Sequence, residues 1–419
     1  MNERTLRRLD RWVGIPLCWL LTGLLRLARW LGLTAHPAAA PPRKILFVKL
    51  SEMGAILLTM PAFEAARARV GVDHLYCLML AENRDVHDLV GFFRPENLLL
   101  IRDRNLPTFA FDVLRALARC RREGIDCAID LEGFSRISAL LVALSGARIR
   151  VGADRYTAEG LYRGDLLTHG VSHNYYHHAS VQFLTLVKAL DAAPGETPLL
   201  KQAVSLDGYR LQRFVPTAQE SADVERILRM RCGAPHRAPL VVLNCNLIDQ
   251  LPLRRWPRAN FVELGRRMLA ASPDATIVLT GLAAERPASE ELAREISPAR
   301  CVSLAGDTTL RGLVALLAGA DLLVTSDCGP AHMAALTGVP ILSIFGPETP
   351  LLYAPLTPNN HSLWAGLACS PCLHAFNHRS SACRDNVCMR SVTVEQVYAL
   401  AQRLCPALAA PRSPSATDA

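Results

Sequence analysis

The chain has 419 residues, more than one hydrophobic core usually holds, so a single small module is excluded and two or three domains are expected. Hydrophobic residues make up 50% and charged residues 20%, a balance that excludes a largely disordered chain. The formal net charge is +8, and residues 1–32 hold six arginines and two acidic residues, which is +4 of that total. The remaining body has no basic stripe interleaved with aromatic residues, so we expect no nucleic-acid partner.

The first segment of the chain contains a charge-free apolar run over residues 12–25. This run is shorter than the roughly 20 residues that a helix needs to cross a bilayer. Nearby tryptophans and flanking arginines favour a helix in the headgroup region. We therefore predict a membrane-associating helix and linker over 1–42, with residues 1–32 contacting the membrane surface. A spanning helix, a signal peptide and an ordinary docking helix are the alternatives.

Short apolar runs alternate with helical patterns from residue 44 onward. Strands apolar on both faces and separated by helices indicate parallel sheets covered on both sides. The fold class is therefore α/β, with two doubly wound Rossmann-like domains facing a cleft over 43–215 and 216–405, and a disordered tail over 406–419. The predicted strands are 45–50, 75–80, 98–101, 127–130 and 149–152, and then 240–243, 276–279, 302–304, 322–325 and 341–345.

The most informative motif follows the strand predicted at 322–325. Asp327 comes directly after this strand, and a helix begins near Pro330, a residue allowed in the first turn. The free N–H groups and positive dipole end of that helix favour an anion, to which His332 can also donate. Asp327 can accept from a sugar hydroxyl, although capping of the helix would explain an aspartate here as well.

Two other strand ends of the second half carry polar residues. Arg254 and Arg255 precede a helix predicted at 260–269, and their forked donors suit phosphate oxygens, a solvated surface pair being the alternative. Glu285 follows the strand at 276–279, where a carboxylate can hold a ribose or sugar hydroxyl. A cation, a carboxylate and a helix N-terminus at the strand ends of one domain are what a sugar nucleotide needs.

The order of these motifs resembles the lipopolysaccharide heptosyltransferase family of inverting glycosyltransferases (glycosyltransferase family 9, GT-B fold). The resemblance covers roughly residues 44–404. It implies transfer of a sugar, heptose or another, from a nucleoside-diphosphate sugar to a lipid-linked glycan or lipopolysaccharide core acceptor. It further implies action at the cytoplasmic face of the inner membrane and no cofactor required for the chemistry. The motifs are KILFVKLSEMG at 44–54, LRRWP at 253–257, TG at 280–281, LAGDTTL at 304–310, TSDCGPAHMAAL at 325–336 and IFGP at 344–347.

The resemblance implies donor-binding roles for residues of the second domain. Arg254 takes the place of the basic residue at the donor diphosphate, and Glu285 matches the carboxylate that holds the nucleoside. Cys328 stands where the family has a serine or threonine, so a hydroxyl contact is expected to be lost while the backbone N–H groups remain. The other implied residues line the base or form the D-x-G-x-x-H element: Thr308, Thr309, Asp327, Gly329 and His332.

The first loop departs from the family pattern at the catalytic position. The family reads S-x-x-G-D there, and the aspartate is its proposed base for the acceptor hydroxyl. Ser51 and Gly54, the acceptor-side residues of this loop, are kept, but Ala55 replaces the aspartate. We predict that Glu52 is the substitute base. Alternatively, Glu52 caps the following helix or is solvated, or the protein is a noncatalytic sugar-nucleotide-binding or scaffold protein.

Two other groups in the first domain carry weaker hypotheses. Asp130 and Glu132 at a strand end are reserve carboxylates, expected to serve the acceptor side or a loop turn. His173, His177 and His178 precede a helix predicted from about residue 179, and a capped helix start is favoured over acceptor contact. A hydrolysing sugar-nucleotide epimerase shares the two-domain architecture and is a further alternative function.

Thirteen cysteines in a chain of this length, an odd number, indicate mostly reduced thiols. A loop over 369–388 contains four of them, and the spacing of the first two suits a tetrahedral metal site. We predict a structural zinc ion there, with an iron–sulfur cluster and reduced or disulfide-paired thiols as alternatives. The four candidate ligands are Cys369, Cys372, Cys383 and Cys388, with His374 and His378 as alternates.

Overall fold

The computed structural model describes residues 10–32, 40–50, 53–133, 135–154, 162–192, 196, 198–233, 235–236, 238–247, 252–374 and 381–409. The chain divides into two compact units, Met1–Tyr209 and Arg210–Ala419, here called unit 1 and unit 2. This division lies six residues before the boundary predicted between 215 and 216. The N–H of Phe214 donates to the carbonyl of Leu336 at 2.7 Å, so the segment after Tyr209 already packs on unit 2.

Unit 1 is built on a six-stranded parallel sheet with helices between the strands. Its strands are β1 (Ile45–Val48), β2 (Leu75–Leu80), β3 (Leu98–Ile101), β4 (Cys127–Asp130), β5 (Ile149–Ala153) and β6 (His169–Val171). Its helices are α1 (Gly14–Trp30), α2 (Met53–Leu58), α3 (Met60–Val70), α4 (Arg84–Val90), α5 (Leu106–Arg122), α6 (Arg136–Leu144) and α7 (Ala179–Lys188).

Unit 2 repeats this plan with a second six-stranded parallel sheet. Its strands are β7 (Leu240–Asn244), β8 (Thr276–Thr280), β9 (Cys301–Ser303), β10 (Leu322–Ser326), β11 (Ile341–Phe345) and β12 (Asn360–Trp364). Its helices are α8 (Ala218–Cys232), α9 (Arg258–Ala271), α10 (Arg286–Ile296), α11 (Leu310–Ala318), α12 (Gly329–Ala334), α13 (Pro350–Tyr353), α14 (Val387–Arg390) and α15 (Val394–Leu404).

The strand order is β3-β2-β1-β4-β5-β6 in unit 1 and β12-β11-β10-β7-β8-β9 in unit 2. The central strands are buried on both faces, as their apolar sequences predicted. Counted from the first strand of each unit, both orders are 3-2-1-4-5-6, and the direction of winding reverses between the first and fourth strands. Ligands of such sheets bind at the carboxyl ends of these two strands. The relevant strands are β1 with β4, and β7 with β10.

Every strand predicted from the sequence is present, which confirms the doubly wound fold class. Two of the four edge strands, β6 and β12, were not predicted, whereas the edge strands β3 and β9 were. Strand β6 has only three residues, and β12 (Asn-His-Ser-Leu-Trp) is polar over most of its length and has no fully buried residue. Each pairs with one neighbour only, so neither needs the continuous apolar run by which the central strands were recognised.

Helix α1 packs against α6 as part of unit 1. The face of α1 that contacts α6 carries small residues. At Gly14, for example, an added Cβ would lie 2.8 Å from the Cβ of Arg136. Asp10, just before the helix, accepts the backbone N–H groups of Arg136 and Ile137 at 2.8 and 3.0 Å and the Arg136 guanidinium at 2.9 Å. Asp10 therefore caps the N-terminus of a helix more than a hundred residues away in sequence.

The other face of α1 is apolar and exposed. Trp12, Trp19 and Trp30 are 75%, 72% and 82% exposed. Their spacings of seven and eleven residues correspond to two and three helical turns, which places them on one stripe. Helical residues Asp10–Trp30 are the one stretch of the described chain that is long and apolar enough to cross a membrane by length and composition.

Candidate functional site

The carboxyl ends of β7 and β10 in unit 2 bring Arg254 and Asp327 together. Nη1 of Arg254 lies 3.7 Å from Oδ2 of Asp327, and both side chains are largely buried, at 16% and 7% exposure. This distance is too long for a hydrogen bond. Within the described residues, Oδ2 of Asp327 and Oγ of Ser326 are buried and have no hydrogen-bond partner. Buried polar atoms are nearly always hydrogen-bonded in a folded protein, so this pair of oxygens marks a place where a ligand is expected.

Helix α12 begins at Gly329, with Pro330 in its first turn, as predicted. The residue at the N-cap is Cys328, whose side chain makes no cap hydrogen bond. Asp327 is therefore not the cap, which removes the structural explanation that the sequence left open for this aspartate. His332 is 7% exposed in the first turns of α12, on the helix that follows Asp327.

The thiol of Cys328 lies inside the protein. Its Sγ is 3.0 Å from Oγ1 of Thr325, and it donates to Oδ1 of Asn244 at 3.5 Å. Burial raises the pKa of Cys328 to about 11, against a smaller lowering by the Thr325 hydroxyl. The side chain thus joins β10 to β7 as a neutral thiol.

The loop with Arg254 begins as a short 3-10 helix, Pro252–Arg254, and is anchored by Trp256. The indole of Trp256 is 2% exposed and packs edge-on against Phe261 with ring centroids 4.9 Å apart. Its Nε1 donates to the carbonyl of Val392 at 2.8 Å, so the polar atom of this buried ring is satisfied. Arg254 is consequently held near Asp327 and is not a solvated surface residue.

Glu285 lies after β8 and is buried, at 6% exposure. Its Oε2 accepts the N–H of Leu282 at 2.7 Å. The neighbouring loop approaches closely at Gly306, where φ is +74° and a Cβ would lie 2.5 Å from the Cα of Ala283. Only glycine fits there, because a side chain would meet both an unfavourable backbone angle and the adjacent backbone.

The two predicted base-lining threonines lie in the loop before α11. The Oγ1 of Thr309 accepts the N–H of Gly312 at 3.1 Å and caps that helix. Thr308 is partly exposed beside it. Asp307 in the same loop accepts from Arg286 at 2.6 Å and so ties this loop to the start of α10.

On unit 1, Ser51 and the predicted base Glu52 lie outside the described residues. Gly54 is buried in α2, which begins at Met53, and Ala55 lies partly exposed in the same helix. The geometry of the predicted catalytic residue is therefore not described, whereas the helix that carries Ala55 is.

The carboxyl ends of β1 and β4 hold two buried ion pairs. Nζ of Lys49 donates to Oε1 of Glu132 at 2.7 Å, with side chains 4% and 15% exposed. Asp130 is fully buried and bonded to the guanidinium of Arg163 and, at 3.1 Å, to the hydroxyl of Ser138. Burial raises the pKa of Asp130, and the charge of Arg163 opposes that rise. A fully buried carboxylate cannot reach a substrate, so Asp130 serves the loop after β4.

Lys49 and Arg163 were not singled out from the sequence. Lys49 could have been recognised as a candidate site residue, since it directly follows a buried strand and is one of only four lysines in an arginine-rich chain. Arg163 had none, because its partner Asp130 is 33 residues away in sequence.

The three predicted histidines form the start of a helix, as favoured from the sequence. Nδ1 of His178 accepts the N–H of Ser180 at 3.3 Å and caps α7. The carbonyl of His177 accepts from the side chain of Gln182 at 2.6 Å. His173 is half-buried beside Tyr175, and partial burial lowers its pKa to about 4, so it is neutral at pH 7.

The four cysteines of 369–388 do not form a metal site in the described part of the chain. Cys369 is exposed, Cys372 and Cys383 are partly buried, and Cys388 is buried. No group of three or more His, Cys, Asp or Glu side chains among the described residues is arranged to hold a metal ion. The prediction of zinc is thus unsupported. The alternate His378 lies outside the described residues.

Comparison with known proteins adds sequence relatives. The profile of glycosyltransferase family 9 (heptosyltransferase) matches residues 113–381. Lipopolysaccharide heptosyltransferase 1 of Pseudomonas aeruginosa is 28% identical over 334 residues, which cover 79% of this chain and 86% of that protein. Lipooligosaccharide heptosyltransferase 2 of Haemophilus influenzae is 33% identical over 110 residues, and this chain spans only 31% of its length.

Solved structures show the same fold. E. coli ADP-heptose lipopolysaccharide heptosyltransferase II matches with a TM-score of 0.64 at 18% identity, covering 87% of this chain and 98% of that one. The family 9 glycosyltransferase of Veillonella parvula also matches with a TM-score of 0.64, at 17% identity, covering 87% of this chain and 97% of that one. These matches confirm the predicted GT-B fold.

Proposed function

The chain belongs to glycosyltransferase family 9, the heptosyltransferase family, and on this premise we propose that it is an inverting glycosyltransferase acting on a lipid-linked glycan or lipopolysaccharide core acceptor. The donor we propose is a nucleoside-diphosphate sugar, with heptose as the first candidate because three of the proteins that this chain resembles are named heptosyltransferases. The observation that carries the proposal is the pair Arg254 and Asp327, where a cation lies beside a buried carboxylate oxygen with no hydrogen-bond partner in the described chain.

Each donor-side residue has a proposed role. Arg254 neutralises the diphosphate, whose charge grows as the bond to the sugar breaks. The N–H groups at Gly329 and the ring of His332 bind the same phosphates, and Asp327 accepts from a sugar hydroxyl. Glu285 holds the nucleoside. In this proposal the buried Cys328 thiol contacts neither the phosphates nor the sugar, so any donor contact at this position is made by the backbone. Ser326 and the threonines Thr308 and Thr309 complete the proposed surface.

For the acceptor side we propose Glu52 as the base. It takes the proton of the acceptor hydroxyl as that oxygen attacks the anomeric carbon and the nucleoside diphosphate leaves, which inverts the configuration. Glu132 is the alternative carboxylate of unit 1, but its side chain is largely buried, at 15% exposure, and already bonded to Lys49, so it is poorly placed to meet an acceptor. Ser51 and Gly54 are proposed to shape the loop for the acceptor.

Turnover of ADP-heptose with a bacterial lipid fraction as acceptor tests the activity. We expect Glu52→Gln to lower turnover by about 100-fold or more, the usual contribution of a general base, with ADP binding unchanged. Glu96→Gln is the control and is expected to retain full activity, because the side chain of this glutamate is 62% exposed at the amino end of β3. Undiminished turnover in Glu52→Gln would exclude Glu52 as the base.

The same assay separates the rival functions. Ala55 at the catalytic position motivates the first rival, a noncatalytic sugar-nucleotide-binding protein. Such a protein would bind ADP but release no product in the presence of acceptor. A hydrolysing epimerase would convert the donor without any acceptor. Thermal stabilisation by a set of nucleotide sugars identifies the donor, because a ligand that binds only the folded state raises its apparent stability.

Asp327→Asn tests the donor site directly. It keeps the shape of the side chain and removes a buried charge that has no hydrogen-bond partner at Oδ2 in the described chain. We expect ADP-heptose turnover to fall by at least about tenfold while the melting temperature stays close to that of the wild type, because the amide fills the same space beside Arg254. Asp321→Ala is the control, since the carboxylate of Asp321 accepts the N–H of Leu240 at 2.7 Å and removal of that acceptor lowers stability. A lower melting temperature in Asp327→Asn would assign Asp327 a structural role.

We also propose that α1 holds the protein at the cytoplasmic face of the inner membrane. The stripe of Trp12, Trp19 and Trp30 lies beside a row of half-exposed leucines, an arrangement that suits a helix lying in the headgroup region. Arg26 and Arg29 near its end are 60% and 45% exposed and are suited to anionic lipids, although Asp165 lies 3.4 and 3.9 Å away and offsets part of their charge. An acceptor in the same leaflet is then met at a raised local concentration.

Cosedimentation with vesicles tests this surface. The triple variant of Trp12, Trp19 and Trp30 to serine is expected to lose binding to vesicles of phosphatidylethanolamine and phosphatidylglycerol. Phe111→Ser is the matched control, because Phe111 is also an exposed aromatic residue of unit 1, at 60%, but lies on α5. Equal binding by the triple variant and the wild type would exclude α1 as the membrane contact.

A further inference from the structure

The segment over 386–392, which contains the last of the four clustered cysteines, lies against the loop that carries Arg254. Nδ2 of Asn386 donates to the carbonyl oxygen of Leu253 at 3.3 Å and to that of Arg255 at 2.9 Å. One amide therefore bridges the two residues that flank Arg254. This contact could not be predicted from the sequence, because the partners are more than 130 residues apart.

Two further contacts fix this segment in place. The carbonyl of Val392 accepts from Nε1 of Trp256 at 2.8 Å, at the end of the Arg254 loop. On another side, a Cβ added to Gly346 would lie 3.1 Å from Sγ of Cys388 and 2.8 Å from Cγ of Met389. The segment over 386–392 therefore lies between the loop after β7 and the loop after β11. Because β10 lies between β7 and β11 in the sheet, this segment adjoins the strand end that carries the proposed donor residues.

The described part of the Arg254 loop contains one short regular element. Its 3-10 helix, Pro252–Arg254, is a single turn, and the N–H of Arg255 bonds to the carbonyl of Pro252 at 3.2 Å. Such short turns have poor hydrogen-bond geometry, so donors from outside decide where the turn lies. The Arg254 guanidinium is 3.7 Å from Asp327, and a shift of about 1 Å in a charged group can cost a large factor in binding or rate.

We propose that Asn386 is a positioning residue that holds Arg254 in place for the donor diphosphate. The inference rests on the proposed role of Arg254 and extends it to a part of the chain outside the motifs of the donor site. Asn386 acts only through the backbone of the Arg254 loop. Its loss therefore affects phosphate binding by displacing that loop, while the fold of unit 2 is retained.

Two measurements on the full chain test this inference: the dissociation constant for ADP by calorimetry, and hydrogen exchange of the peptide covering 252–257. Asn386→Asp keeps the size of the side chain but replaces the donating amide by a carboxylate that faces two carbonyl oxygens. Asn386→Ala removes the bonds without adding charge and serves if the first variant folds poorly. Asn359→Asp is the matched control, since Nδ2 of Asn359 also donates to a carbonyl of unit 2, that of Gly338 at 3.1 Å, before β11.

We expect either Asn386 variant to weaken ADP binding about tenfold, the scale of one or two neutral hydrogen bonds, and to speed exchange in 252–257. The melting temperature and the exchange of β8 should stay close to those of the wild type, and the control should change neither readout. Unchanged exchange in 252–257, or faster exchange with unchanged ADP affinity, would overturn the inference. A wild type that does not bind ADP would count against the proposed donor, and the exchange result would then decide alone whether Asn386 holds the loop.

Discussion

Cys328 shows how the side chain at one motif position can face away from the chemistry that the motif suggests. The sequence implied the loss of a hydroxyl contact with the donor. The thiol in fact bonds to Thr325 and Asn244 within the sheet. The substitution therefore replaces a hydrogen-bonding group between two strands and leaves the N–H groups that follow β10 in place.

We predict that Cys328→Ser changes ADP affinity by less than about twofold, because a hydroxyl can keep both bonds of the buried thiol.

The neutral thiol of Cys328 should also resist alkylation. With iodoacetamide at pH 8, exposed Cys369 is expected to react first and Cys328 only after unfolding, since its pKa is raised to about 11. Mass spectrometry of the digested protein measures the labelling of Cys369 and of Cys328. Rapid labelling of native Cys328 would contradict the buried position.

The proposed donor residues were recognised in the sequence where a strand end and a motif coincide. Arg254, Glu285 and Asp327 could be named in this way, since each follows or adjoins a recognisable strand. Contacts between distant parts of the chain could not be read. Asn386 is the example: it resembles any loop asparagine until the fold brings it to the carbonyls beside Arg254.

At the scale of elements, α1 and α6 depend on one another through Asp10. This carboxylate accepts two N–H groups of α6 and pairs with Arg136, whose side chain is only 6% exposed. Asp10→Ala would leave a buried guanidinium without its carboxylate partner and would remove the acceptor of two N–H groups at the start of α6, where Ser135 is the N-cap residue. We predict a loss of about 3–5 kcal/mol in the free energy of unfolding of unit 1, measured by urea denaturation.

A matched control for Asp10 is Asp223→Ala, which removes a carboxylate from the exposed pair with Arg226 on α8. This change should alter stability by less than about 1 kcal/mol, as is usual for surface ion pairs. Similar effects of the two substitutions would show that α1 is not an integral part of unit 1.

The junction of β3 and α5 should respond to acid. Hydrogen bonds from Arg102 lower the pKa of Asp112 from 3.8 to about 2, against an opposing effect of burial. Since the folded-state pKa is the lower one, this stabilisation is present above about pH 4 and is lost as the pH falls through 2. We predict that Asp112→Asn destabilises the protein at pH 6 and that the difference from the wild type vanishes near pH 2.

Thermal unfolding between pH 2 and pH 6 measures this dependence. Asp88→Asn is the comparison, because the Arg84–Asp88 pair on α4 is about half exposed on both sides. A constant difference between Asp112→Asn and the wild type over that range would contradict the assigned cause.

The strands that could be predicted from the sequence differ in burial from those that could not. Central strands such as β1 and β7 are apolar on both faces because helices cover both, and this makes them visible as continuous runs. The edge strands β6 and β12 have one neighbour each and keep polar residues, so their sequences resemble loops. Segments of this kind become strands only when the sheet beside them exists.

At the scale of the whole molecule, each unit has its own sheet and its own buried core. We therefore predict that a fragment of residues 210–419 folds alone and binds ADP with an affinity within about tenfold of the full chain, since all proposed donor residues lie in it. Circular dichroism and calorimetry measure the two properties. A fragment that folds but does not bind ADP would place part of the donor site in unit 1.

The docking of α1 also sets an order of events during synthesis. The residues that receive α1, from Arg136 to Asp165, leave the ribosome about a hundred residues or more after Trp30. At the usual rate of about 5–20 residues per second, the apolar helix waits roughly 5–20 s for its partner surface. During that interval its small-residue face is as exposed as its tryptophans. The nascent chain therefore exposes both faces of α1 before the rest of unit 1 has been made.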